Sequence, residues 1–133
     1  MLKVEHVGIA VYTLEKAIPL YTRLLNAPCY KQEVVESEQV QTAFFRRGDT
    51  KLELLEATGE SSAIKRFLDK KGEGIHHIAF EVEDIHAEMA RLREEGFTLL
   101  HETPKQGADN KLICFVHPKD AHGVLIELCQ EMR

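Results

Sequence analysis

Two histidines and two glutamates occupy matching places in a repeated pattern, and together they make a donor set for a divalent cation. His6 and His77 each lie in a stretch that alternates as a half-buried strand does. Val7, Ile9 and Val11 share one side of the first stretch, and Ile78, Phe80 and Val82 share one side of the second. On the opposite side His6 is followed by Gly8 and Ala10, and His77 by Ala79, residues too small to fill the space around an imidazole. Glu53 and Glu127 interrupt apolar runs: Leu52 and Leu54 share a side, as do Ile126 and Leu128, and each carboxylate points the other way. Burying such a carboxylate is costly unless it is paired or bound to a metal. A single His or Glu on a strand is ordinarily a packed or solvated residue. Four of them, equivalently placed and facing away from the expected helices, suit a shared Zn, Co, Mn or Ni ion.

The elements that must position these residues occur twice. Lys3–Val11 reads as a strand and Thr13–Leu25 as a helix capped by Thr13, with Pro19 expected to kink it or delay its regular start. Strands are expected at Cys29–Val35, Val40–Arg46 and Thr50–Glu56, with a turn at Arg47-Gly48-Asp49. A polar bridge over 58–74 holds a short helix capped by Ser61 or Ser62, with Ile64, Phe67 and Leu68 inward and Gly72 and Gly74 at its end. The order then repeats: a strand at Ile75–Val82, a helix from Asp84 through Glu95 stopped by Gly96, and strands near Thr98–His101, Lys111–Val116 and Gly123–Cys129. His77 follows His6 by 71 residues (77 − 6), and Glu127 follows Glu53 by 74 (127 − 53), a mismatch of one small insertion. The chain therefore reads as a duplicated βαβββ unit in one domain: module one 1–57, bridge 58–74 and module two 75–133.

Composition narrows the class. A chain of 133 residues, 44% hydrophobic and 29% charged, is large enough for a real core. It has no apolar run of about 18 residues and no basic-then-apolar leader, so neither a membrane span nor a signal segment is expected. The formal charge of −5 and the dispersal of its 17 Lys and Arg argue against nucleic acid as the main partner. Cys29, Cys114 and Cys129 are odd in number and far apart, which points to reduced thiols and a cytoplasmic location.

Four motifs carry a family resemblance: Val4-Glu5-His6-Val7-Gly8-Ile9-Ala10-Val11, Lys51-Leu52-Glu53-Leu54-Leu55, Gly74-Ile75-His76-His77-Ile78-Ala79 and Gly123-Val124-Leu125-Ile126-Glu127-Leu128. They resemble the vicinal oxygen chelate superfamily and, within it, the methylmalonyl-CoA epimerases. The likeness runs essentially end to end, including Glu60-Ser61-Ser62-Ala63-Ile64 and Phe115-Val116-His117-Pro118-Lys119. It implies an α+β fold in which two βαβββ modules form a cupped mixed sheet around a metal, with His6, Glu53, His77 and Glu127 on the four ligand positions. It also implies an acyl-CoA substrate and a homodimer. The implied reaction is epimerisation at the carbon between a thioester and a carboxylate, through an enolate.

By that resemblance Glu127 is one base, with Glu53 a second choice for the other. Some relatives place a second Glu on the third strand, where this chain has Thr42; Glu36, Glu38 and Gln39 lie nearby in sequence. Gly8, Ala10 and Ala79 are expected to leave room for a small branched acyl group. Lys105, Lys111 and Lys119 are weak candidates for the coenzyme A phosphates, and a solvated loop charge describes each better. Gly107-Ala108-Asp109-Asn110 reads either as a flexible turn bordering the substrate or as a plain hairpin, Cys129 is expected on Glu127's face, and His76 on the opposite one is expected to be structural. A lactoylglutathione lyase uses the same four ligand types, so the ligands alone do not separate it from an epimerase. A metal-free binding protein of the same fold needs none of them, and a purely structural metal would close all four positions.

Overall fold

In the computed structural model residues 1–132 are described; Arg133, the last residue of the expected second module, lies outside the described residues. Residues 6–76 form one compact unit, and Met1–Glu5 with the chain from His77 onward form the other. The first contains β1 (Lys3–Ala10) from His6 on, α1 (Leu14–Leu25), β2 (Lys31–Val35), β3 (Val40–Arg47), β4 (Thr50–Ala57) and α2 (Ala63–Lys71). The second contains β5 (Gly74–Glu81) from His77 on, α3 (Ile85–Glu94), β6 (Lys105–Gln106), β7 (Lys111–Val116) and β8 (Ile126–Glu131). Strand neighbours run β2-β3-β4-β1 in one and β5-β8-β7-β6 in the other. In each, the histidine strand pairs parallel with the glutamate strand and all other pairings are antiparallel. The α+β fold of two βαβββ modules is therefore the observed one. Among the described residues no helix is long and apolar enough to cross a membrane.

The repeat extends to contacts that sequence matching does not reveal. Thr13 caps α1 and Asp84 caps α3 through side-chain oxygens that accept from the third residue on. A strand side chain serves each helix start as well: the Leu14 amide donates to Glu56 at 2.6 Å, and the Ile85 amide donates to Gln130 at 2.7 Å. The chain leaves β1 and β5 through equivalent bonds, Val11 N–H to Leu55 C=O and Val82 N–H to Cys129 C=O, both 2.9 Å.

Each module buries one sheet face under its helix. Ile9, Ala43, Phe45, Leu52 and Leu54 pack with Leu14, Ala17, Ile18 and Tyr21 of α1. Cys114, Val116 and Leu128 pack with Ile85, Met89 and Leu92 of α3. On the histidine face of module one, however, α2 lays Ile64 and Leu68 against Ala10, Val40 and Leu55. The expectation that this face is free of helices is thus corrected: its far end is roofed by the bridge helix, which Ser62 caps at the Ile64 amide and Gly72 ends at φ +77°.

Several details depart from expectation, and one that was open is decided. Helix α1 runs unbroken from Leu14 through Pro19. A proline this near the N-terminus deprives only the Glu15 carbonyl of its i+4 donor, and Glu15 is solvent-exposed. Thr98–His101 is not a strand. Leu99 makes a single bridge to Val116, and the Thr98 amide is drawn to Asp120 at 2.7 Å, so the regular pairing with β7 falls to Lys105–Gln106. Strand β8 begins at Ile126 rather than Gly123, because Gly123 is a turn residue at φ +87° whose amide bonds the Pro118 carbonyl. Asp109 and Asn110 both adopt positive φ, the geometry of a tight hairpin turn between β6 and β7, which settles the Gly107–Asn110 segment as a hairpin.

Candidate active site

Parallel register sets Gly8 beside Glu53, with His6 one pleat away, and side chains of like parity share a face. His6 and Glu53 are each 4% exposed, and Nδ1 of the imidazole stands 3.2 Å from Oε2 of the carboxylate. In the second unit Ala79 lies beside Glu127. His77 and Glu127 are each 5% exposed, with Nε2 3.3 Å from Oε1. Each module thus builds its own His–Glu pair from its first and last strands. Two donors held ~2.1 Å from one ion stand ~3.0–3.4 Å apart across octahedral to tetrahedral angles, so either pair has the spacing of adjacent ligands. Two buried carboxylates also carry the charge that a divalent cation neutralises.

Aromatic rings complete each pair, and they were not singled out from sequence. Phe44 lies in register with Glu53, and Phe115 with Glu127. The Phe115 ring meets the His77 imidazole edge-on at 5.8 Å and 85°. Alternation along Lys111–Val116 contained this signal, once Glu127 fixed which side faces the site.

The room expected at the small residues is not all open. Ala10 is fully buried beneath α2, and Ala79 is fully buried against Ile113 and Cys129. Cys129 is on Glu127's side as expected, but it is a packing residue whose thiol reaches the Phe80 carbonyl at 3.6 Å. His76 has the structural role expected of it. Its ring stands edge-on to Phe67 at 5.1 Å, and burial, then the Lys71 charge, lower its pKa to about 4. Glu36 and Glu38 lie on a 3-10 turn beyond β2, and Gln39 is committed to the Ser61 amide at 3.0 Å. Of the three lysines, Lys119 is exposed and Lys105 half-buried, while Lys111 is 7% exposed on the side of β7 that carries Ile113 and Phe115.

The description of the Glyoxalase/Bleomycin resistance protein/Dioxygenase superfamily matches residues 5–115, which include the first strands of both modules. The chain belongs to that superfamily. Among its curated members, the ethylmalonyl-CoA/methylmalonyl-CoA epimerase of Cereibacter sphaeroides is 43% identical over 130 residues, spanning 96% of this chain and 97% of its own. The human mitochondrial methylmalonyl-CoA epimerase is 41% identical over 129 residues, 96% of this chain and 73% of its own. A solved structure of a Glu-to-Gln variant of the Streptomyces coelicolor methylmalonyl-CoA epimerase in complex with 2-nitronate-propionyl-CoA superposes with a TM-score of 0.94 at 35% identity, covering all of this chain and 99% of the other.

Proposed function

We propose that this chain is a metal-dependent epimerase acting on methylmalonyl-CoA, inverting the carbon between the thioester and the carboxylate. The observation that carries the reading is the duplicated, buried His–Glu pair in a chain similar end to end to named epimerases. His6, Glu53, His77 and Glu127 would together hold one ion of the Co, Mn, Zn or Ni kind. When bound, that ion supplies a Lewis acid that lowers the energy of the negative charge developing on the thioester oxygen.

The chain's own residues do the rest. Glu127 accepts the α-proton: the C–H pair passes into the thioester carbonyl, and the carboxylate becomes a carboxylic acid. A carboxylate has two oxygens, so one can be held while the other takes a proton. Phe115 and the buried Ala79, Ile113 and Cys129 keep water from the Glu127 side of module two, which strengthens local electrostatics. The three cysteines are free thiols, which fits the cytoplasmic location we assign; the homodimer we assign rests on the family resemblance.

The reading is tested by incubating metal-loaded protein with methylmalonyl-CoA in heavy water. Deuterium entering the branched carbon together with loss of optical purity is the expected result. Glu127→Gln should keep the fold and lower turnover by ~10²–10⁴-fold. Turnover of the glutathione–methylglyoxal hemithioacetal without exchange into methylmalonyl-CoA would transfer the assignment to a lactoylglutathione lyase.

A further inference from the structure

The two modules share one frame, so positions that match in it but differ in chemistry mark what each outer face has to meet. The caps Thr13 and Asp84 relate α1 to α3 by 71 residues (84 − 13), the same offset that relates His6 to His77. On that register Tyr12, Leu20 and Leu24 correspond to Glu83, Arg91 and Glu95, and all of them are exposed. Module two carries charges at these places. Module one carries large apolar side chains, 58%, 49% and 68% exposed. The positions that face the sheet are apolar in both, Leu14, Ile18 and Tyr21 against Ile85, Met89 and Leu92. The divergence is confined to the outer face.

Leu20 and Leu24 are one helical turn apart, and with Lys16 they make a stripe about 12 Å long on α1. Beside it lies a groove of about 510 Å³, lined by Lys16 and Leu20, by Tyr12 and Thr13 ahead of the helix, and by Glu73 and Gly74 at the junction of α2 with β5. Ile75, next in the chain, is 61% exposed. All of these residues belong to the 6–76 unit. Exposed apolar side chains gathered in this way mark a face that meets a partner. The charges say which partner. Lys16 and Glu73 stand on the helix side and the loop side of the groove, and neither has an ion pair among the described residues. The Glu73 carboxylate accepts from the Tyr12 amide at 2.8 Å. A face with opposite charges on either side of an apolar centre is complementary to itself. With a two-fold axis along the groove, the helix side of one copy lies over the loop side of the other, and each Lys16 meets a Glu73.

We propose that this groove and the outer face of α1 form the surface through which two copies of the chain pair, with Tyr12, Leu20 and Leu24 at the centre and the Lys16–Glu73 contacts at the rim. The inference rests on the homodimer assigned above and names its face. An apolar, aromatic-bearing centre inside a charged rim is the build of specific interfaces, which bury ~800 Å² per partner.

Sedimentation velocity on the full-length protein is the test. Wild type should run as a dimer, and Leu20→Arg should weaken pairing by ~30-fold or more. Leu20 is exposed in the single chain, so its replacement should leave the fold intact. Lys16→Glu and Glu73→Lys should each weaken pairing by at least ~10-fold, since like charges then face each other twice. An equimolar mixture of those two variants should pair within ~5-fold of wild type, because every rim contact again joins a carboxylate to an ammonium. Glu95→Arg, at the module-two position matching Leu24, should leave pairing unchanged. Leu20→Arg that pairs as wild type does, or a mixture no better paired than its components, overturns this face and leaves the homodimer standing. A wild-type monomer would overturn the homodimer reading and this face with it.

Discussion

Module one and module two repeat a frame down to single hydrogen bonds, yet their histidine faces differ in chemistry. Val40, Thr42 and Phe44 on β3 have as counterparts Lys111, Ile113 and Phe115 on β7, aligned by the register of each aromatic with its glutamate. The aromatic beside the carboxylate is kept. Next to it, module one has a hydroxyl without a partner among the described residues, and module two has a buried isoleucine packed on Ala79 and Cys129. One more pleat along, module one is roofed by α2 over Val40, whereas module two presents a lysine. Duplication has preserved what builds the His–Glu pair and left the neighbouring positions to diverge.

The comparison breaks first at the residues we propose as ligands. His6→Ala and His77→Ala should each weaken divalent-metal binding by at least ~100-fold, since loss of even an outer-shell partner costs 10–100-fold. Calorimetric titration with Co or Zn checks this; a variant that binds as the wild type does would show that its half contributes no ligand.

The cores should respond alike. Leu54 and Leu128 are both fully buried at equivalent positions under α1 and α3. Truncation of either to Ala should cost about 2–5 kcal/mol in urea unfolding. A loss at one site twice that at the other would mean that one module collapses around the cavity and the other does not.

Smaller effects sharpen the match at the helix starts. Glu56→Ala and Gln130→Ala each remove an acceptor from a helix-start amide, at a cost of about 0.5–2 kcal/mol. The charged cap should be the costlier, since charge-assisted bonds are the stronger and an anion is favoured at a helix N-terminus.

The smallest effect belongs to module two alone. The Thr98 amide, then the Lys119 and His117 charges, hold the Asp120 carboxyl below its ordinary value of 3.8. A carboxyl with a lowered folded-state pKa stabilises above its unfolded value and loses that contribution as pH falls through the folded one. Amide exchange at Thr98 should therefore quicken in strong acid, and Asp120→Asn should quicken it at neutral pH. Module one should show no matching change.

Much of this was legible in the chain. Alternation placed His6, Glu53, His77 and Glu127 on one side of their strands, and Thr13, Ser62 and Asp84 announced their helices. What misled was local propensity where a distant partner prevailed. Thr98–His101 has strand-forming residues, but Asp120 claims its first amide; Gly123–Leu125 looks continuous with β8 until the turn at Gly123 is formed. The small Ala10 and Ala79 suggested open space because a sequence does not say which helix or neighbouring strand will lie above them.

The duplicated α+β frame and the facing of His6, Glu53, His77 and Glu127 could be read from the chain, because strand periodicity and capping are set by neighbours a few residues away. Tertiary structure alone decided that each His meets its Glu within 3.3 Å and that α2 roofs one histidine face. Those are matters of register and docking between segments distant in the chain. They are fixed by burial of whole faces, and no short stretch of residues encodes them.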